Sequence, residues 1–116
     1  MDAAPLGDLI VTVAAQGSSI VLAFDGELDL ATAPFAQSVI DSVFTADSPP
    51  RVILDLSALR FMDTNGIDIL NRCGALGRKH RCLVEHRGAH GMVAALLALP
   101  TIDVSISEEL PALSWN

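Results

Sequence analysis

The segment Arg51-Val52-Ile53-Leu54-Asp55-Leu56 most constrains the fold of this chain. Its short apolar run suits a strand buried on both faces. On either side lie stretches whose apolar residues recur at helical spacing. Upstream, Phe35, Ala36, Val39, Ile40, Val43 and Phe44 line one face, while Gln37, Ser38, Asp41 and Ser42 take the other. Downstream, Ile67, Ile69, Leu70, Cys73 and Leu76 supply a buried side, and Asp68, Arg72 and Lys79 a wet one. Asp68 and Arg72 stand in the favourable order for an i, i+4 ion pair. Strands alternating with helices in this way demand parallel pairing through right-handed crossovers.

The remaining sequence extends the alternation. Leu9 to Ala15 and Ile20 to Asp25 are β-rich runs flanking Gln16-Gly17-Ser18-Ser19, and they read as a hairpin that adds one antiparallel strand. Thr32 precedes Ala33-Pro34 as an N-cap before a first-turn proline, and that helix ends before Ser48-Pro49-Pro50. The next helix runs from Asp63-Thr64 to about His80. Gly74 and Gly77 each cost roughly 1 kcal/mol relative to alanine inside it, and they mark close approach to the sheet. Cys82 to Glu85 is a further strand, Ala89 to Leu99 a third helix stopped by Pro100, and Val104 to Ile106 a final edge strand. Within the third helix, Met92 to Leu99 reads as buried. The order β-β-α-β-α-β-α-β specifies an α/β layer fold with a mixed sheet, expected as a single domain over residues 1–116 with short frayed ends.

Composition narrows the function classes. Of 116 residues, 51% are hydrophobic and 18% charged, enough apolar matter for a core that four Phe, one Trp and no Tyr make aliphatic. Seven basic against fourteen acidic residues give a net charge of −7, which argues against nucleic acid or an anionic membrane surface as a partner. The longest uninterrupted apolar run, Met92 to Leu99, falls well short of the ~18 residues of a membrane span, so no direct membrane insertion is expected. Met1-Asp2-Ala3-Ala4-Pro5 lacks the basic start and apolar stretch of a secretory signal, and Cys73 and Cys82 form neither a CxxC pair nor a disulfide framework. The expected setting is the cytoplasm, with reduced thiols. Among His80, His86 and His90 the i, i+4 pair is interrupted by Gly88 in a loop, so no metal site is expected. The chain has no triad arrangement, Walker loop or GxGxxG motif; neither a cofactor nor an enzyme is expected.

Two stretches carry candidate chemistry. Phe61-Met62-Asp63-Thr64-Asn65-Gly66-Ile67 joins a buried strand to a helix, where unpaired N–H groups and the positive dipole end are exposed. Asp63 or Thr64 serves there as the cap. A hydroxyl at such a place is also a good phosphate acceptor, because backbone amides can hold the dianion. The second stretch is Gly26-Glu27-Leu28-Asp29, directly after the second strand. A parallel sheet would bring Asp29 near the helix start carrying Thr64. Asp55 at first sight matches the acceptor of a phospho-aspartate receiver domain. That pattern needs a carboxylate pair after the first strand and a late lysine, whereas this chain has Gln16-Gly17-Ser18-Ser19 there and only Lys79, on a helix.

Taken together, Gly26-Glu27-Leu28-Asp29-Leu30-Ala31-Thr32-Ala33-Pro34, Val52-Ile53-Leu54-Asp55-Leu56-Ser57 and Phe61-Met62-Asp63-Thr64-Asn65-Gly66 resemble the STAS domain of bacterial anti-sigma factor antagonists. The resemblance is motif-level in the first two-thirds of the chain and topological afterwards. It implies a non-enzymatic module that binds an anti-sigma factor with serine-kinase activity and frees a sigma factor. Phosphorylation would switch it off, and a PP2C-type phosphatase would restore it. The family's phosphoacceptor position falls on Thr64 and its recurrent acidic positions on Asp29 and Asp63. The implied partner-binding surface is Gly26, Glu27, Asp29, Asp63, Thr64, Asn65 and Gly66. The chain departs from the family pattern by carrying Thr rather than Ser and by placing Asn65 next. The added methyl of threonine stiffens χ1 and crowds the approach to the hydroxyl. An alternative implied by the same resemblance is a scaffold or lipid-transport ABC complex subunit with no phosphate cycle. An exposed edge strand leaves room for a weak homodimer.

Overall fold

The computed structural model describes residues 8–45, 47–102 and 104–106. The stretch Met1 to Pro5 and both chain ends, whose reading was made from sequence, lie outside the described residues. The elements are β1 (Leu9–Gln16), β2 (Ser19–Leu28), α1 (Ala33–Val43), β3 (Arg51–Met62), α2 (Thr64–Lys79), β4 (Leu83–Arg87), α3 (Gly91–Leu97) and β5 (Ser105–Ile106). They form a five-stranded sheet ordered β1-β2-β3-β4-β5. Its first pair is antiparallel and every later pair parallel. The expected mixed α/β architecture is therefore present. Gly17 closes the hairpin at φ 63, the positive φ that twisted two-residue hairpin turns require at a central position.

β3 is twice as long as its apolar run. It carries 12 residues against the 10 of β2, and the pairing register shifts between Ala23 and Asp25 and again between Gly26 and Glu27. Each shift is a bulge that inserts one extra residue on β3. The inward positions therefore run Leu54, Leu56, Leu59, Met62, all fully buried, instead of alternating strictly. At the first bulge the Ser57 N–H leaves the ladder and donates to Asp55 Oδ1 at 3.0 Å.

One core holds the layers together. Leu22, Phe24 and Leu28 of β2, Leu54, Leu56, Leu59 and Met62 of β3 and Val84 of β4 pack with Ala36 and Ile40 of α1. Ile67, Leu70 and Cys73 of α2 and Val93 of α3 join the same cluster. All three helices consequently share one face of the sheet. The other face carries no helix among the described residues. Ile53 is nonetheless fully buried on that face. It lies between two cross-strand pairs, Arg51 Nε to Glu85 Oε1 at 2.7 Å and Arg87 Nε to Asp55 Oδ2 at 3.4 Å.

Local corrections follow from packing. α3 is shorter than expected and mostly not buried: Val93 alone is fully inside, while Met92 and Leu99 are 43% and 45% exposed. An all-apolar octet shows no periodicity from which its wet side can be read. Phe35, expected in the core, is 49% exposed, and the inward face of α1 is Ala36, Ile40 and then Phe44. Arg72 reaches Asp41 of α1 at 3.8 Å rather than Asp68, so the ion pair ties two helices together. Gly77 does mark close approach: a Cβ there would collide with the Val84 side chain and lie 2.7 Å from the Cys82 carbonyl oxygen.

Candidate functional site

The C-terminal ends of β2 and β3 lie side by side, with Leu28 paired to Met62, and the Asp63 N–H donates to the Leu28 carbonyl at 3.3 Å. Asp29 and Asp63 each follow one residue later, so the parallel sheet brings the two carboxylate-bearing positions together, as expected from the topology.

The two aspartates work differently. Asp63 is the N-cap of α2, with extended φ −116 and ψ −168. Its Oδ1 accepts from Asn65 N at 2.9 Å and Gly66 N at 3.3 Å, and its Oδ2 accepts from Asn65 Nδ2 at 3.4 Å. Two of the orphan amides at the helix start are thereby satisfied by a full negative charge at the positive dipole end. Asp29 instead organises the turn into α1. Its Oδ1 accepts from Ala31 N at 3.0 Å and Thr32 N at 3.1 Å, and its carbonyl accepts from Ala33 N at 2.8 Å.

Thr32 stands at the N-cap position of α1, but its side chain makes no capping bond to the helix. Its buried hydroxyl donates to the Glu27 carbonyl at 2.8 Å and accepts from Asp29 N at 3.0 Å. Thr32 thus closes the β2–α1 turn, and the Asp29 carboxylate takes the Thr32 N–H.

Because Asp63 carries the cap, the Thr64 hydroxyl is left over. Thr64 is exposed at the first position of α2, and among the described residues its hydroxyl has no hydrogen-bond partner. The sequence expectation that amides of this turn could cradle a phosphate is corrected in one respect: Asn65 N and Gly66 N are already held by Asp63. Asp68, one helical turn beyond Thr64, is also exposed. Glu27, Asp29, Asp63 and Asp68 therefore give the surface a concentrated negative charge.

Gly26 and Gly66 are buried and act within the fold. At Gly66 a Cβ would meet the Met62 side chain and lie 2.8 Å from the Leu28 carbonyl oxygen, so the glycine lets α2 start hard against the strand ends. Gly26 has φ +123, and a Cβ there would strike the Asp8 carbonyl. Both belong to β2 or α2 proper, and Gly26, Glu27 and Leu28 lie inside β2 rather than after it. Near these site residues, of which Thr64 is exposed and Glu27, Asp29, Asp63 and Asn65 are half-buried, stand apolar groups not read from sequence as surface. Leu30 is 72% exposed beside Asp29, Phe35 sits in the first turn of α1, and Phe61 is 38% exposed opposite Glu27. The sequence signal for them was weak, since an isolated leucine or phenylalanine most often packs inward.

The other ionisable groups serve structure. Burial pulls the Asp55 carboxyl upward, but hydrogen bonds from Ser57 and the Arg87 guanidinium outweigh it and hold the group below the usual carboxylate range. Burial, aided by Cys82, pushes the Cys73 thiol up to about 12. His80 packs on Phe44 with ring centroids 5.9 Å apart, and His90 Nε2 bonds the Ser57 carbonyl at 2.9 Å. Among the described residues no group of three or more His, Cys, Asp or Glu could hold a metal ion, and no helix is long and apolar enough to cross a membrane.

Comparison with known proteins decides the family. Residues 11–108 match the model of the STAS domain. The chain belongs to the STAS domain family. This STAS domain is 40% identical over 62 residues to the anti-sigma-F factor antagonist RsfB of Mycobacterium tuberculosis strain H37Rv, covering 53% of this chain and 50% of that protein. It thus spans about half the length of that curated relative. Among solved structures, an anti-sigma factor antagonist from Mycobacterium paratuberculosis is 28% identical, covers 87% of this chain and 88% of its own, and superposes with a TM-score of 0.64. The unphosphorylated anti-sigma factor antagonist SpoIIAA shares the fold with a TM-score of 0.69 over 93% of this chain and 94% of its own, at 11% identity.

Proposed function

We propose that this STAS domain is an anti-sigma factor antagonist that acts by binding and is switched by phosphorylation of Thr64. The observation that carries the reading is the exposed, unengaged Thr64 hydroxyl at a helix start whose cap is supplied by its neighbour Asp63. The similarity to RsfB and to the mycobacterial antagonist structure supports the class of partner. The docking face is the exposed Thr64 with the half-buried Glu27, Asp29, Asp63 and Asn65, and Leu30, Phe35 and Phe61 as apolar anchors. Gly26 and Gly66 shape it from beneath. Apolar anchors ringed by charge are the ordinary anatomy of a protein interface.

The partner is an anti-sigma factor with a serine-kinase activity. In the transfer, the Thr64 oxygen forms a bond to the γ-phosphorus of ATP as the bond to the bridging oxygen breaks. ADP leaves and the hydroxyl proton is released. Hydrolysis by a PP2C-type phosphatase returns the hydroxyl and inorganic phosphate. The modification adds about −1.5 to −2 charges beside Asp29, Asp63 and Asp68, where the Asn65 and Gly66 amides are already occupied. Repulsion and desolvation then act against the docked state.

Titration of the cognate anti-sigma factor with the wild type, Thr64→Ala and Thr64→Glu tests this. Thr64→Ala should bind as the wild type does, and Thr64→Glu should lose about 3–4 kcal/mol, a few hundred-fold in affinity. Incubation with the kinase and labelled ATP should mark the wild type and leave Thr64→Ala blank. Binding without any transfer would leave the docking face standing and remove the phosphate cycle, as in a scaffold subunit. Equal affinity of all three proteins would overturn the switch.

A further inference from the structure

β1 forms one edge of the sheet, and its register with β2 runs unbroken from Leu9 to Gln16. In an antiparallel ladder, successive residues turn their N–H and C=O groups alternately toward the partner strand and away from it. The Glu27 N–H donates to the Asp8 carbonyl at 2.8 Å, which sets the phase: Asp8, Ile10, Thr12, Ala14 and Gln16 face β2. Leu9, Val11, Val13 and Ala15 therefore turn theirs outward, and no strand among the described residues takes them.

Sheet edges are ordinarily blunted by charge, proline, a bulge or sheer shortness. The opposite edge follows that rule, since β5 has only two residues. β1 does not. Its eight residues include no charge and no proline, in a chain that is 18% charged. Ile10 and Val13 stand 62% and 51% exposed on its two faces. We propose that β1 is a homodimerisation strand, pairing antiparallel with β1 of a second copy about a two-fold axis through Thr12.

The hydrogen-bond pattern selects both the occupant and the register. Thr12 opposite its own counterpart sets Val11 against Val13, and Leu9 against Ala15, of the second copy. Each of these pairs exchanges two bonds, so every outward N–H and carbonyl of both strands is used. A slip of two residues either way leaves one outward residue beyond the end of the facing strand. Val13 packs on Val11 of the second copy and the two Thr12 side chains meet, both favourable cross-strand pairs. Asp8 falls opposite Gln16, so no carboxylate faces another. With a net charge of −7 on each copy, an uncharged strand is where two copies approach against the least repulsion. Eight residues a side fall short of the roughly 20–30 of a stable interface, so the dimer is weak, with a Kd of about 10–100 μM. No residue proposed for anti-sigma docking lies on β1, so the strand pairing stands independently of the sigma-pathway reading.

Sedimentation velocity of the full chain over a concentration series spanning that Kd should show the mass rising from 12.2 kDa toward twice that value. Val13→Glu, which brings like charges together across the axis, should raise Kd at least about 10-fold. Val13→Pro removes one outward N–H and no bond to β2, and should do the same; two variants keep the surface testable where one fails to fold. Thr12→Cys tests the register. Treated with diamide, which takes up the two thiol hydrogens as the disulfide forms, it should give a covalent dimer. Ala14→Cys, which stands opposite Ile10, should give far less, and the native Cys73 and Cys82 are buried. A mass of 12.2 kDa at every concentration, a dimer unmoved by both Val13 variants, or equal cross-linking at positions 12 and 14 would overturn the proposal.

Discussion

At the residue scale the account rests on a division of labour between neighbours. The sequence left Asp63 and Thr64 equally able to cap α2, because both carry an acceptor oxygen at the right place. The structure assigns the cap to Asp63 through its bonds to Asn65 N and Gly66 N, and frees Thr64. Removing the cap with Asp63→Ala should therefore cost about 1 kcal/mol and lower Tm by several degrees. Asp63→Asn, which keeps the acceptor, should cost less. Thr64→Ala should leave stability within about 0.5 kcal/mol, as expected for an exposed group away from any network. Chemical denaturation of the three variants checks the ranking; a Thr64→Ala loss as large as that of Asp63→Ala would return the cap to threonine. The Asp29–Thr32 turn was less legible. Its bonds depend on the Glu27 carbonyl pointing at the Thr32 hydroxyl, which no local spacing reveals.

At the element scale, periodicity read the hairpin, α1, α2 and the order of elements along the chain well, since each buries one face. It failed where tertiary pairing overrides the pattern. Residues 57–62 extend β3 because β2 supplies ladder partners, and two bulges break the alternation that would have announced them. The site depends on that extension, for without it Asp63 would not reach the end of β2. Gly66 is the hinge of this geometry. Alanine is the better helix former, yet Gly66→Ala should destabilise by about 1–3 kcal/mol because its Cβ meets Met62 and the Leu28 carbonyl. Thermal unfolding decides it, and a variant as stable as the wild type would mean that α2 is not seated against the strand ends.

At the scale of the whole molecule, acid should weaken the fold in two stages. Burial holds the His86 pKa below its ordinary 6.5, so the unfolded chain takes up protons that the native state refuses. Stability then declines as pH falls below about 6.5, the direction linkage requires. The Asp55 carboxyl is also depressed in the fold, from 3.8, so its contribution is complete above that value and lost as pH falls through the folded one. Urea unfolding at a series of pH values should show both stages, with His86→Leu flattening only the upper one; an unchanged upper stage in that variant would contradict the assignment. The same molecule places Glu27, Asp29, Asp63 and Asp68 at the end of the sheet where α2 begins with the exposed Thr64. The most direct test of the central claim is calorimetric titration of the anti-sigma factor with this chain before and after stoichiometric phosphorylation of Thr64. The account expects a complex that the phosphate weakens by at least about 100-fold, close to 3 kcal/mol. Equal heats and equal affinity for the two forms would contradict it.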